Sequence, residues 1–250
     1  MKHRSMSPQT AHVPSQAVVH PPEVPEEVGY AGQPWLVEER DACGVGFIVH
    51  RLGQASFDIV SKALHGLACV EHRGGCSADQ DSGDGAGIMT AVPWSLLSQW
   101  WVAQGYAVPD YTQVGVGMVF LPMERAAAEQ AKQVVAEIAQ AEGFSVVGWR
   151  MVPVNPSCLG RQAKENQPQI EQVFLDGSGL GHKEDKQALE RCLYLVRKRI
   201  EVAIANLNAA WSKEFYFCSL SSRTIVYKGM VRSAVLSEFY LDLQNPDFTS

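Results

Sequence analysis

The sequence has no lysine or arginine stripe, and its net charge is −6, so it lacks the electrostatic footprint of a nucleic-acid binder. A small acidic protein could still dock on a local basic patch. No run of 18 apolar residues occurs, so no segment reads as a membrane span. The first 20 residues are polar and contain no apolar signal-peptide core. No Cys-x-x-Cys pair exists. The six cysteines are scattered, mostly in apolar surroundings, and read as free thiols of a reducing, cytoplasmic compartment. Charged residues are only 19% of the chain, while hydrophobic residues are 46%, which is enough for a sizeable core.

Six of the 13 prolines fall within residues 1–42, a stretch with mixed charge and no apolar period. Proline fixes φ and removes a donor, so neither helix nor sheet is favoured there. The stretch reads as a disordered leader or as a propeptide ending at Ala42.

Residues 43–250 read as a packed α+β domain in which strands and helices come in clusters rather than alternating strictly. Residues 45–51 read as a buried strand, residues 57–71 as a helix, 88–92 as a strand and 95–103 as a short helix. Residues 114–121 read as a buried strand, 124–142 as a helix ended by Gly143, and 144–150 as a strand. Residues 151–181 read mostly as loop, with a strand near 172–175. A long helix is expected over 183–210, with Leu189, Cys192, Val196, Ile200, Ala203 and Leu207 as its buried stripe. Residues 215–220 and 224–227 are spaced as a hairpin around Ser221-Ser222, and 231–241 as a short helix.

Three ligand readings fail on spacing. His65, Cys69, His72 and Cys76 form a loose zinc quartet, but Cys69 borders an apolar stripe and Arg73 interrupts the set. The loop from Asp79 starts like a calcium loop, yet Asp84 stands where glycine is needed and Thr90 where glutamate is needed. Gly83-x-Gly85-x-Gly87 precedes a strand instead of opening a helix, so a phosphate cradle is not formed. The glycines fit positive φ and close backbone approach instead. No metal ligand set remains.

Cys43, in Asp41-Ala-Cys-Gly-Val-Gly46, is the candidate nucleophile. A free thiol has a pKa of about 8.5 and is mostly protonated at pH 7, so it needs a base. His72 is not a compelling one. An α-amine on Cys43 itself, with a pKa of about 7.7–8.0, would serve once residues 1–42 are removed. Gly44 and Gly46 would keep its surroundings uncrowded. The competing reading is a buried structural cysteine at a strand start.

Several motifs, in order, resemble the amidotransferase domain of the glutamate synthase large chain. They are Glu39-Arg-Asp-Ala-Cys43-Gly-Val-Gly-Phe-Ile48, Glu71-His-Arg-Gly-Gly-Cys76 and Asp81-Ser-Gly-Asp-Gly-Ala-Gly87, then Gly148-Trp-Arg-x-Val-Pro-Val-Asn155, Phe217-Cys-Ser-Leu-Ser221 and Thr224-Ile-Val-Tyr-Lys-Gly-Met230. Phe239-Tyr-Leu-Asp-Leu-Gln-Asn245 and the Glu71 motif look most like the ferredoxin-dependent type.

The resemblance implies an N-terminal-nucleophile fold, a four-layer α/β/β/α sandwich. It makes residues 1–42 a propeptide and residues 43–250 the N-terminal part of a type-2 amidotransferase domain. Cys43 is then the catalytic nucleophile attacking the glutamine side-chain amide. Arg73, Gly44 and Asp84 stand around it, Arg73 either holding the backbone or easing negative charge. The released ammonia would aminate 2-oxoglutarate in the full-length enzyme. FMN and an iron–sulfur cluster are implied for later domains, with ferredoxin, or alternatively an NAD(P)H-linked small subunit, as electron partner.

The family's His-Asn-Gly-Glu-Ile-Asn oxyanion segment and its Arg-x-Ser-Thr-Asn glutamine clamp do not occur here. The resemblance therefore places the substrate-binding residues beyond Ser250 and implies that this chain alone hydrolyses no glutamine. The alternative is an inactive fragment, or a stand-alone regulatory or binding module on the same scaffold.

Overall fold

The computed structural model describes residues 44–71, 81–181 and 185–250. They lie in one compact unit, Ala42–Ser250. Six strands form two antiparallel sheets among the described residues. One has the order β3-β4-β2-β5, built from β2 (Val114–Leu121), β3 (Ser145–Met151), β4 (Gln169–Asp176) and β5 (Tyr216–Ser221). The other pairs β1 (Ala86–Ala91) with β6 (Thr224–Gly229). The helices are α1 (Phe57–Cys69), α2 (Trp94–Ala103), α3 (Arg125–Ala141), the short α4 (Arg161–Glu165), α5 (Lys186–Asn206) and α6 (Leu236–Phe239). This is the α+β class.

The four-stranded sheet divides two cores. Strand alternation sends Val119, Leu121, Val173 and Leu175 toward α3 and α5, and Val114, Val116, Met118 and Phe174 toward the two-stranded sheet. Bulges preserve this division where the period breaks. On β5, Phe217 and Leu220 lie three apart yet both face the helices, and the register shifts opposite them between Met118 and Val119. On β3, Val146 and Trp149 face the helices for the same reason.

The helix over 183–210 is α5, but its buried stripe is Leu189, Leu193, Val196, Ile200 and Ile204. Cys192 is half-buried and Leu207 half-exposed, so the face is rotated from the expected one. Each fully buried aliphatic contributes about 1.5–3 kcal/mol, so packing dominates this helix's stability. Asp185 sets only its start, accepting from the amides of Gln187 and Ala188. The Ala188 amide first, then the Arg191 guanidinium and the Gln187 amide, hold the Asp185 carboxyl below its ordinary range.

Three expectations need correction. The expected strand over 45–51 does not form: it has no ladder partner among the described residues, and Val45 and Phe47 are 93% and 91% exposed. β-propensity supplies apolar, branched residues, but a strand exists only when its amides find partners. The strand near 172–175 is in fact eight residues long and central. Polar Gln169, Glu171 and Gln172 hid it, because alternation misreads a buried polar residue that has a partner. Glu171 receives Lys132 at 2.7 Å, and Gln172 is bonded on both sides.

The third correction is that β5 and β6 are not a hairpin but belong to different sheets. Side chains take over where a ladder would run. Glu190 accepts from the Ser221 hydroxyl (2.9 Å) and from the amide and hydroxyl of Ser222 (2.6 Å each). Ser221 Oγ accepts from the amides of Arg223 and Thr224, and Ser219 Oγ from that of Val226. The chain thus steps from one sheet to the other over a serine-lined turn.

Between the sheets lies a buried polar network. Arg150 donates twice to Asp242, from Nη1 to Oδ2 (2.8 Å) and from Nη2 to Oδ1 (2.7 Å), and also donates to Gln172 (2.9 Å). Tyr227 donates to Asp242 (2.9 Å) and accepts from Gln172 (2.9 Å). Burial works against the Arg150 charge, yet the bonds and charge of Asp242 hold its guanidinium above the ordinary value. Burial, then the Asp242 charge, pushes the Tyr227 phenol well up. The network joins β3, β4 and β6 to the 3-10 turn Leu241–Gln244.

Candidate functional site

The loop Asp81–Gly87 is wedged between two other segments. Ser82 is buried, and its hydroxyl accepts from the amide of Ala163 at 3.0 Å, at the start of α4. A Cβ on Gly160 would lie 2.5 Å from Ser82 N. A Cβ on Gly83 would lie 2.6 Å from main-chain atoms of Val231 and Arg232. Gly85 has φ +141°, and a Cβ on Gly87 would lie 2.8 Å from the Lys228 side chain. The glycines therefore serve close approach and positive φ, as the sequence suggested, and the loop runs into strand β1 rather than into a helix.

Asp84 is exposed on this loop, and Gly44 is half-buried in the segment 44–50, which is neither helix nor strand. Cys43 and Arg73, the other two residues singled out from the sequence, lie outside the described residues, as do His72 and Cys76 of the zinc reading. Of the four candidate site residues, the structure thus describes Gly44 and Asp84.

Among the described cysteines, two are electrostatically unsuited to attack. Burial pushes the Cys218 thiol up to about 12, and burial with the nearby Glu238 charge pushes Cys158 up. Cys69 is exposed, with Sγ 3.8 Å from His65 Nε2 on the same helical face. Among the described residues no group of three or more His, Cys, Asp or Glu side chains could hold a metal ion. No helix among them is long and apolar enough to cross a membrane.

A groove of about 580 Å³ opens beside Asp84, lined by Gly85, by Ala86–Met89 of β1, and by Phe120, Tyr216, Val226 and Lys228–Met230. A second, of about 650 Å³, continues past the same Phe120, Tyr216 and Lys228 toward Met123, Asn166 and Gln167. At their junction Lys228 Nζ donates to the Tyr216 hydroxyl at 2.7 Å and stands 4.4 Å from the ring centroid of Tyr216. Sequence reading did not single out Tyr216 or Lys228. The available signal was that Lys228 follows buried Tyr227 on a strand, so its side chain leaves the core. The arrangement offers a cationic head and an aromatic wall along a strand edge, next to the glycine loop that carries Asp84.

Comparison with known sequences shows the family. The profile of the family described as "Glutamine amidotransferases class-II" matches residues 43–250. The ferredoxin-dependent glutamate synthase 2 of Synechocystis sp. is 54% identical over 222 residues, covering 88% of this chain and 14% of that protein. The chloroplastic ferredoxin-dependent glutamate synthase of Oryza sativa subsp. japonica is 52% identical over 215 residues, covering 86% of this chain and 13% of that protein. The ferredoxin-dependent glutamate synthase of Antithamnion sp. is 39% identical over 229 residues, covering 88% of this chain and 14% of that protein. The chain thus spans about one seventh of the length of these curated relatives. With the family profile running unbroken over residues 43–250, the chain belongs to the class-II glutamine amidotransferases.

Proposed function

We propose that this chain is the amidotransferase portion of a glutamate synthase of the ferredoxin-dependent type. The identity of 54% and 52% to two proteins of that name, over 88% and 86% of this chain, carries the reading. Cys43 is the nucleophile, and residues 1–42 are a leader whose removal frees its α-amine. That amine takes the thiol proton, and the thiolate adds to the side-chain amide carbon of glutamine. Ammonia leaves with that proton, and water then cleaves the thioester to glutamate and regenerates the thiol.

In the longer polypeptide the ammonia aminates 2-oxoglutarate, with electrons from ferredoxin. FMN and an iron–sulfur cluster, held by later domains, supply the electron transfer when bound. Gly44, Asp84 and Arg73 shape the surroundings of the thiol, and the protein works in the cytoplasm. The start of the family match at Cys43 supports the position of the cut.

The test uses the full-length polypeptide. Its intact mass is expected to place Cys43 at the N-terminus, and Cys43→Ser is expected to abolish glutamine-dependent glutamate formation. Full activity with residues 1–42 attached, or in Cys43→Ser, overturns the reading.

A further inference from the structure

Arg232 stands between two carboxylates that bracket one stretch of chain. Its Nη1 lies 3.9 Å from Glu71 Oε1, and its Nη2 lies 3.8 Å from Asp81 Oδ1. Glu71 follows the C-terminal end of α1, and Asp81 opens the loop that leads into β1. The arginine sits on a fixed base. Val231 and Leu236 are core residues, and the 3-10 turn Ser233–Val235 between them lies against α1. The main chain at Val231–Arg232 is also the surface on which Gly83 rests without room for a Cβ. Among the described residues, Arg232 Nε has no hydrogen-bond partner, and the two outer nitrogens face the two carboxylates.

From this arrangement we infer that Arg232 is a positioning residue whose one guanidinium ties the end of α1 to the start of the Asp81–Gly87 loop. It thereby sets the separation of Glu71 and Asp81, and in sequence Arg73 comes two residues after Glu71. Each pair is long and partly exposed, and such a pair alone is weak. The effect comes from placing both on one planar fork anchored in the core, which restrains two chain segments at once. A lysine supplies a point charge and reaches one carboxylate at a time.

Hydrogen–deuterium exchange on the 250-residue chain tests this without reference to activity. In Arg232→Lys and in Arg232→Met, peptides containing Glu71 and Asp81 are expected to exchange about two- to ten-fold faster, while those of α3 and α5 stay unchanged. The wild-type chain is expected to show the same local rise in 1 M salt, since surface pairs are screened. Unchanged exchange at both ends overturns the inference. So does a rise spread evenly over the chain, which a merely structural residue would give.

Its consequence for catalysis rests on the function proposed above. In the full-length polypeptide, Arg232→Met is expected to lower kcat for glutamine hydrolysis about three- to ten-fold with KM nearly unchanged, and a kcat within two-fold of wild type removes the catalytic consequence. If the wild-type polypeptide turns over no glutamine, the functional reading fails, and the exchange data still decide the role of Arg232.

Discussion

Replacing Asp242 by asparagine removes the charge that pairs with Arg150 among the described residues. Asp242 is 3% exposed and Arg150 8%, and two direct bonds of 2.7 and 2.8 Å join them. The amide keeps nearly the shape of the carboxylate and can still accept from Tyr227, but it removes the negative charge. Breaking a buried pair by deleting one partner costs about 3–5 kcal/mol, because the other charge stays buried and unpaired. A urea slope of about 2 kcal/mol per molar converts this to a midpoint about 1.5–2.5 M lower. Tryptophan fluorescence can follow the transition, since Trp100 and Trp101 sit 5.0 and 5.2 Å from the Phe174 ring in the same core. The double variant Arg150→Met with Asp242→Leu removes both charges and is expected to recover most of the loss. A midpoint for Asp242→Asn within about 0.5 M of wild type refutes the reasoning, as does a double variant whose loss equals the sum of the single ones.

Two further outcomes follow from the packing and the buried thiol. Gly83→Ala is expected to destabilise by about 1–3 kcal/mol, because main-chain atoms of Val231 and Arg232 must move. Gly46→Ala, with nothing within 4 Å, is the neutral control, and equal melting temperatures for the two variants would contradict the wedge. Cys218 keeps its proton in the folded state up to about 12, against a reference of 9.0. Below about pH 9 the thiol is protonated in both states and favours neither. Between about 9 and about 12 only the unfolded chain releases the proton, so stability falls as pH rises. Urea midpoints taken from pH 8 to 10.5 should therefore drop less in Cys218→Ala than in the wild type, and parallel curves would refute the assignment.

The helices were legible because their signals are local. The alanine-rich face of α3 and the glycine at 143, which adopts φ +84°, announce that helix and its end. The glycines of the Asp81–Gly87 loop were legible too, as marks of close approach. What stayed hidden depends on distant partners. The strand character of Gln169–Asp176 requires Arg150, Lys132 and Tyr227 to satisfy its polar residues. The separation of β5 from β6 requires Glu190, on a helix, to receive Ser221 and Ser222. The unpaired state of residues 44–50 reflects the absence of a ladder partner among the described residues, which no property of Val45 or Phe47 reveals. At the site, motif identity led to Cys43 and Arg73, whereas the groove at Tyr216 and Lys228 emerges only where β5 and β6 are juxtaposed.

The pairing of β1 with β6 also bears on how the protein is made. Ala86 pairs with Gly229 and Ala91 with Thr224, so the first strand of the described fold finds its ladder only near the end of this chain. At a synthesis rate of about 5–20 residues per second, the wait on the ribosome is on the order of ten seconds. During that time α3 and the strands β2, β3 and β4 can already assemble, while Ile88 and Met89 remain without their neighbours on β6. Nascent chains caught in that interval carry an open strand, and this is the stage at which a chaperone that binds extended apolar segments has its substrate.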